Sequence, residues 1–141
     1  MTGLRTQNLL ESLNSGKELG AVMEKNASEF IAQPLSEALA ELLKEKGLTR
    51  AQAIRNSMLN TIYGQQIFAG SKTPSRDKIL AISFGMNLSF QETDTLLKRQ
   101  GYPCLYPRKE RDAIIIYGLL HGLSLLETNT QLYENDLETL V

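Results

Sequence analysis

The sequence predicts an all-α fold, and three observations support this prediction. Apolar residues recur at helical spacing, as in Leu35, Leu39 and Leu42. Residue types that cap helices, such as Thr49 and Ser89, stand just before several of these runs. We find no convincing alternation of apolar and polar residues, which is the pattern of a half-buried strand.

Bulk properties indicate an ordinary globular protein. The chain has 141 residues, 42% of them hydrophobic, and a mean hydropathy of -0.22, which suffices to bury a core. No apolar run approaches the roughly 18 residues that span a bilayer. Residues 1–10 lack the order of a secretion signal. We therefore expect a cytoplasmic protein with no membrane partner.

Reactive residues are few. Cys104 and His121 are each the only residue of their type, so neither a disulfide framework nor a metal cluster of soft ligands is expected. The sequence has no evident acid/base pair, nucleophile pair or phosphate loop. We expect no catalytic residues, no cofactor and no enzyme.

The first helices are predicted from apolar spacing and stop signals. Residues 5–15 and 17–31 are predicted to be helices of an N-terminal extension, residues 1–33. Pro34 suits the start of the next helix, because its missing N–H is harmless there. Gly47 is a natural stop for that helix.

The middle of the chain is predicted to hold two short helices. Thr49 and Gln52 have the spacing of a capping box, and a break is expected near residues 57–59. Asn60 can cap a helix that ends near Ala69, followed by Gly70.

The second half contains an internal repeat. Residues 76–97 align with residues 111–132 at an offset of 35. In each copy a helix is predicted to stop at a residue suited to left-handed backbone, Asn87 or Gly122. Ser89 and Ser124 then begin capping boxes. The two copies are expected to form stacked helical hairpins with a shared core, joined by a non-helical, proline-containing linker at 101–107.

Charge is unevenly distributed. The formal net charge is -1, but residues 50–78 contain five basic residues and one acidic residue. The flanking segments are acidic on balance. A localised positive patch favours phosphate contact.

The order of these elements resembles a known family. Gly47-Leu48-Thr49 begins one helix, Asn60 begins the next, and Gly70-Ser71-Lys72-Thr73-Pro74-Ser75 follows. This pattern is similar to the Cro and phage-repressor (XRE-like) helix-turn-helix family, over roughly residues 35–99. The resemblance implies a repressor-like helix-turn-helix bundle in residues 34–100. Residues 101–141 would then be a C-terminal helical hairpin for dimerisation, an effector or a protein partner.

The resemblance also implies a function, a sequence-specific DNA-binding transcriptional regulator that acts as a homodimer on double-stranded DNA. Its recognition helix, about residues 60–69, would lie in the major groove. The residues implied to contact bases are Thr61, Ile62, Gln65 and Gln66. The residues implied to contact phosphates are Arg50, Asn60, Ser71, Lys72 and Arg76.

Two pairs of positions depart from the family. Where the family commonly pairs an Arg with a Glu, this chain has Leu43 and Phe68, so both partners of the ion pair are apolar. Where the family prefers a small residue and an aliphatic one, the chain has Ile54 and Gly64. We expect Ile54 to pack over Gly64, a large-to-small exchange that conserves volume.

Alternatives remain open. Gln65 and Gln66 also fit simple solvated positions on a helix, and Arg76 fits a structural pair near Asp77 and the repeat. Residues 113–120 fit a buried helix or a dimer face. Overall acidity, the exposed position expected for Ile62 and the missing Arg/Glu pair favour a different function, a protein-interaction adaptor without DNA binding.

Overall fold

A computed structural model of the protein describes residues 33–141, and these residues contain seven α-helices and no β-strand. The predicted helices within residues 1–32 lie outside the described residues. The all-α prediction is confirmed for the described part. The helices are α1 (Leu35–Lys46), α2 (Arg50–Asn56), α3 (Thr61–Ala69), α4 (Arg76–Gly85), α5 (Phe90–Arg99), α6 (Glu110–Leu120) and α7 (Leu125–Glu134).

Most helices begin where the sequence predicts a cap. Thr49, Ser89 and Ser124 each form a complete capping box, in which the hydroxyl accepts from the backbone three residues later. The Asn60 side chain accepts from the Tyr63 N–H at the start of α3. These bonds satisfy amide groups that have no partner within the helix.

Left-handed residues end the helices and turn the chain. Asn87 (φ 56°) follows α4 and Gly122 (φ 64°) follows α6, as predicted. At each stop the next amide returns to the last turn of the helix: Leu88 N–H donates to the Ser83 carbonyl, and Leu123 N–H donates to the Gly118 carbonyl. Equivalent positions in the two copies therefore have the same turn.

The N-terminal three helices pack on one another and on α4. Helix α1 contacts α3, and α2 contacts both α3 and α4. The contact between α2 and α4 is close because residue 85 is glycine: a Cβ there would collide with the Ser57 hydroxyl and lie 2.7 Å from the Ala53 carbonyl oxygen. Gly85 thus permits the backbones of the two helices to approach.

The two repeat copies pack reciprocally. We define copy 1 as residues 76–105, with α4 and α5, and copy 2 as residues 111–140, with α6 and α7. Helix α4 contacts α7, and α5 contacts α6, so the first helix of each copy meets the second helix of the other. The predicted stacked hairpins with a shared core are confirmed.

Exchanged ion pairs join the two copies. Arg76 of copy 1 binds Asp112 of copy 2 at 3.1 Å, and Arg111 of copy 2 binds Asp77 of copy 1 at 2.9 Å. Because each Arg reaches the other copy's Asp, the arrangement is self-complementary, as for two units related by a twofold axis. Such a pair closes on itself and does not extend into an open stack.

The repeat continues beyond the aligned helices into the segments that follow them. Arg76 also donates to the carbonyls of residues 103 and 104, while Arg111 donates to those of residues 138 and 139. Asp94 accepts from the Leu105 N–H and Asn129 accepts from the Leu140 N–H, each at 2.9 Å. The linker at 101–107 is non-helical, as predicted.

Residues 33–141 form one unit with a contiguous apolar core that includes side chains from both sides of residue 100. The proposed boundaries at residues 33 and 100 stay predictions. None of the seven helices is both long and apolar enough to cross a membrane.

Candidate nucleic-acid interface

Helix α3 presents one exposed side and one buried side. Gly64, Ile67 and Phe68 are buried. On the other side the four predicted base-contacting residues follow one another at positions i, i+1, i+4 and i+5, which share one face of a helix. Of these, Thr61, Ile62 and Gln65 are exposed and Gln66 is half-buried.

The buried side of α3 is fixed by an unusual contact with α2. A Cβ at Gly64 would lie 2.7 Å from Cγ2 of Ile54, which is closer than packed atoms allow. The predicted packing of Ile54 over Gly64 is therefore confirmed. Leu43 packs against the same core, and Phe68 is buried in it, so apolar packing occupies the positions of the family's ion pair.

The connection between α2 and α3 is short. It comprises residues 57–60, and the predicted break is present. Met58 has left-handed backbone (φ 56°), a conformation that glycine adopts more readily. The Ser57 hydroxyl donates to the Ala53 carbonyl and is fully buried, so the end of α2 is held from within.

Arg50 joins the start of α2 to the exposed side of α3. Its Nη1 donates to Oε1 of Gln65 at 3.4 Å, and its guanidinium carbon lies 5.9 Å from the centre of the Phe68 ring. The cation is thus positioned over an aromatic face beside the predicted groove-facing residues. Gln65 retains its Nε2 donor, and the remaining N–H groups of Arg50 are directed to no other described residue.

The other predicted phosphate ligands lie at both ends of α3. Asn60 uses its side-chain oxygen as a cap, which leaves its amide N–H₂ group to donate. Gly70 (φ 87°) ends the helix, and the Ser71 hydroxyl donates to the Gln66 carbonyl at 3.3 Å. Lys72 is exposed, and none of the ion pairs among residues 33–141 includes it.

Arg76 has a different environment. Its guanidinium donates to both carboxylate oxygens of Asp112 and to two carbonyls of the linker, as described above. This matches the structural alternative for Arg76, although its acidic partner is Asp112 and not the neighbouring Asp77. Because its donors are used internally, Arg76 is the predicted phosphate ligand that this geometry supports least.

The surroundings of Asp112 keep its carboxylate charged, and this charge favours its pairing with Arg76. Burial alone would raise the pKa of this carboxyl, but hydrogen bonds from Arg76 and from the Tyr106 N–H, together with the nearby cations, lower the pKa overall. The carboxylate is therefore ionised at neutral pH and holds Arg76 in place.

Arg55 is a basic residue of segment 50–78 that the predicted site set does not include. Arg55, in the last turn of α2, is exposed and takes part in none of the ion pairs among the described residues. It was visible in sequence only as part of the basic count in residues 50–78. By contrast, Lys46 at the end of α1 binds Glu92 at 2.8 Å, which ties α1 to α5.

In comparisons with known proteins, no family model matched the chain, and neither a curated protein nor a solved structure matched it.

Proposed function

We propose that the protein is a cytoplasmic, sequence-specific regulator that binds double-stranded DNA through α3. The observation that carries the proposal is the exposed side of α3, where residues able to read bases lie near two cations that form no ion pair among residues 33–141. Arg50 lies beside this side of the helix and Lys72 lies just after its end. Cations beside an inserted helix can bind the phosphates that flank a groove.

Base recognition would use side chains of two kinds. Gln66 can form a bidentate pair with adenine, since no described group binds its amide, and Gln65 can donate through its Nε2. Thr61 and Ile62 carry methyl groups that can pack on the methyl of thymine. We therefore expect a preference for A·T pairs in the site.

Phosphate contacts would position the helix. We assign them to Arg50, Asn60, Ser71 and Lys72, and leave Arg76 to its structural role. Each neutralised phosphate releases counterions, so affinity should fall steeply as salt rises.

The test is a titration of the full chain with a pool of random-sequence DNA duplexes over a series of salt concentrations. Lys72→Ala should weaken binding to all sequences alike and reduce the slope of log affinity against log salt by about 0.9. Lys98→Ala is the matched control, since Lys98 is an exposed lysine on α5, and it should leave the slope unchanged. An equal loss in both variants would show that the binding is not localised at α3.

One observation favours a second candidate, a protein-interaction adaptor on the same scaffold. Ile62 is 70% exposed, and Met58 nearby is also exposed. Large apolar side chains on a surface are typical of contacts with protein. Failure of the chain to bind the DNA pool even at low salt would support the adaptor and contradict the regulator.

A further inference from the structure

The exposed side of α7 carries two large apolar side chains with a threonine between them. Leu126, Thr130 and Tyr133 recur at i, i+4 and i+7, so they share one face of the helix. Leu126 is 62% exposed and Tyr133 is 77% exposed. Copy 1 has Gln91 and Lys98 at the positions of Leu126 and Tyr133. This apolar row is therefore peculiar to copy 2 and is not required by the repeat.

An acidic row runs beside the apolar row. Glu127, Gln131 and Glu134 follow the apolar residues one position later at the same spacing, and all three are exposed. The two glutamates are two turns apart, which is about 10 Å along the helix axis. Neither takes part in the ion pairs among residues 33–141. Copy 1 has Arg99 at the position of Glu134, so the second acidic position also belongs to copy 2 alone.

The segment around this row is acidic. Residues 121–141 contain four Asp or Glu side chains, all exposed, and no Lys or Arg. Arg111 reaches the carbonyls that follow α7, but its guanidinium is already bound to a carboxylate of copy 1. At the start of α6, the exposed Arg108 and Lys109 are followed by Glu110, and none of the three pairs with α7 in the described chain. The charge of the acidic row is thus available to a partner.

The equivalent glutamate of copy 1 shows how this position can be used. Glu92, the counterpart of Glu127, completes a capping box and also accepts from Nζ of Lys46 at 2.8 Å. Lys46 lies in the last turn of α1, so the cation comes from a second helix. Glu127 completes the same capping box, but no cation of the described part binds it. A repeat position that binds a lysine of another helix in copy 1 has no such partner among residues 33–141 in copy 2.

Charge decides which kind of occupant fits this face. DNA and anionic lipid surfaces are negative, so the acidic row would repel both. Two copies of the chain joined here by a twofold axis would bring the glutamates of one α7 against those of the other. A cationic helix with an apolar side fits both rows, because its apolar residues can cover Leu126 and Tyr133 while its cations pair with the glutamates.

We propose that the outer face of α7 binds a basic amphipathic helix of a partner protein. Leu126 and Tyr133 form the apolar centre of the contact, and tyrosine is among the residues that often dominate binding energy. Glu127 and Glu134 select for cations on the partner and orient it. The face lies on a different helix from α3, so the proposal does not depend on DNA binding.

The first test is a fluorescence anisotropy titration of the full chain against two synthetic amphipathic peptides of about 16 residues, long enough to form a helix. Both peptides carry leucines along one side. One has two lysines beside that side, two turns apart, and the other has glutamates at the same places. The basic peptide should bind at least about tenfold more tightly, and added salt should reduce the difference. Equal affinities, or no binding of the basic peptide, would overturn the proposal.

The second test locates the acidic contact. The double variant Glu127→Gln with Glu134→Gln removes both charges, while glutamine retains the capping box at residue 127. It should weaken binding of the basic peptide about tenfold. The double variant Glu41→Gln with Glu45→Gln is the matched control, because these exposed glutamates of α1 change the net charge equally, and it should bind as the wild type does. Equal weakening in both double variants would show general charge attraction and would overturn the proposal.

The third test concerns the apolar row. Tyr133→Lys gives copy 2 the residue of copy 1 and should weaken the basic peptide about tenfold without changing the unfolding curve, because the side chain is 77% exposed. Tyr106→Lys is the control, a linker tyrosine that is 50% exposed, and it should leave binding unchanged. Unchanged binding in Tyr133→Lys would contradict the proposal. A light-scattering mass of two chains that falls to one in Tyr133→Lys would assign the face to a second copy and would also contradict it.

Discussion

At position 85 copy 1 has a glycine beneath α2, whereas copy 2 has an exposed leucine, Leu120, at the equivalent position. The two copies share capping boxes, left-handed turns and exchanged ion pairs. They differ in the packing on the outer face of their first helix: α2 packs on α4 in copy 1, whereas the equivalent face of α6 in copy 2 is exposed. The difference indicates that a repeated framework can be adapted at a few positions: the first helix of copy 1 supports α2, which leads into the candidate DNA-binding helix α3, and the equivalent face of copy 2 is exposed at Tyr117 and Leu120.

The largest effect is expected when copy 1 is given the residue of copy 2. Gly85→Leu would force a side chain against the backbone of α2, which cannot move without losing its other contacts. We expect a loss of about 3 kcal/mol of unfolding free energy, the upper range for overpacking. Denaturant unfolding measures it. The control, Leu120→Ala at the equivalent exposed position, should change stability by less than about 0.5 kcal/mol.

The two exchanged ion pairs should differ in how much stability is lost when the arginine of each pair is replaced. The Asp112 side chain is 6% exposed and the Asp77 side chain 32%, so only the first carboxylate is removed from water. Arg76→Met leaves Asp112 buried without its partner and should cost about 3 kcal/mol. Arg111→Met should cost about 1 kcal/mol. Equal losses in the two variants would show that burial does not distinguish the pairs.

Low pH should destabilise the protein because two carboxylates that link helices, those of Glu92 and Asp112, become protonated. The pKa of Glu92 is lowered by its hydrogen bonds to Lys46 and to the Ser89 amide, and the pKa of Asp112 is also lowered. Because these folded-state values lie below the ordinary 4.5 and 3.8, both groups stabilise the fold above that range, and the contribution is lost as pH falls through the lower folded values. Unfolding free energy measured from pH 6 to pH 2 should decrease, and the dependence should be shallower in Asp112→Asn. An unchanged slope in that variant would contradict this assignment.

The smallest effect is expected at a position where the two copies have different residues that accept the same hydrogen bond. Asp94 in copy 1 and Asn129 in copy 2 accept the same backbone hydrogen bond. Asp94→Asn should therefore change stability by less than about 0.5 kcal/mol, because the acceptor remains. Asp94→Ala removes it and should cost about 1 kcal/mol, measured by thermal or denaturant unfolding. A large loss in Asp94→Asn would mean that the charge itself matters.

Much of the framework could be predicted from local sequence. Caps at Thr49, Asn60 and Ser89 and the stop at Asn87 depend on neighbouring residues, so short-range chemistry reveals them. The packing of Ile54 over Gly64 was also predictable. The large and the small side chain stand at positions where the family that the sequence resembles has them in the opposite order.

Long-range contacts could not be predicted in this way. The partner of Arg76 lies 36 residues away in the other copy, and no local feature distinguishes Asp112 from the adjacent Asp77. The role of Gly85 and the exposure of Leu120 depend on which helix packs on which copy, information that the repeat alone does not carry. In the candidate site, the exposed side of α3 was predictable, and an internal pair for Arg76 was one of the alternatives, but its partner Asp112 could not be identified.

The central claim, that α3 reads DNA sequence, is tested most directly by selecting bound sequences from a random duplex pool with the full chain and sequencing them. We expect enrichment of a site with A·T preference, and loss of the preference at one base position in Gln66→Ala with overall affinity largely kept. No enrichment by the wild-type chain at low salt, or an unchanged site in Gln66→Ala, would contradict it.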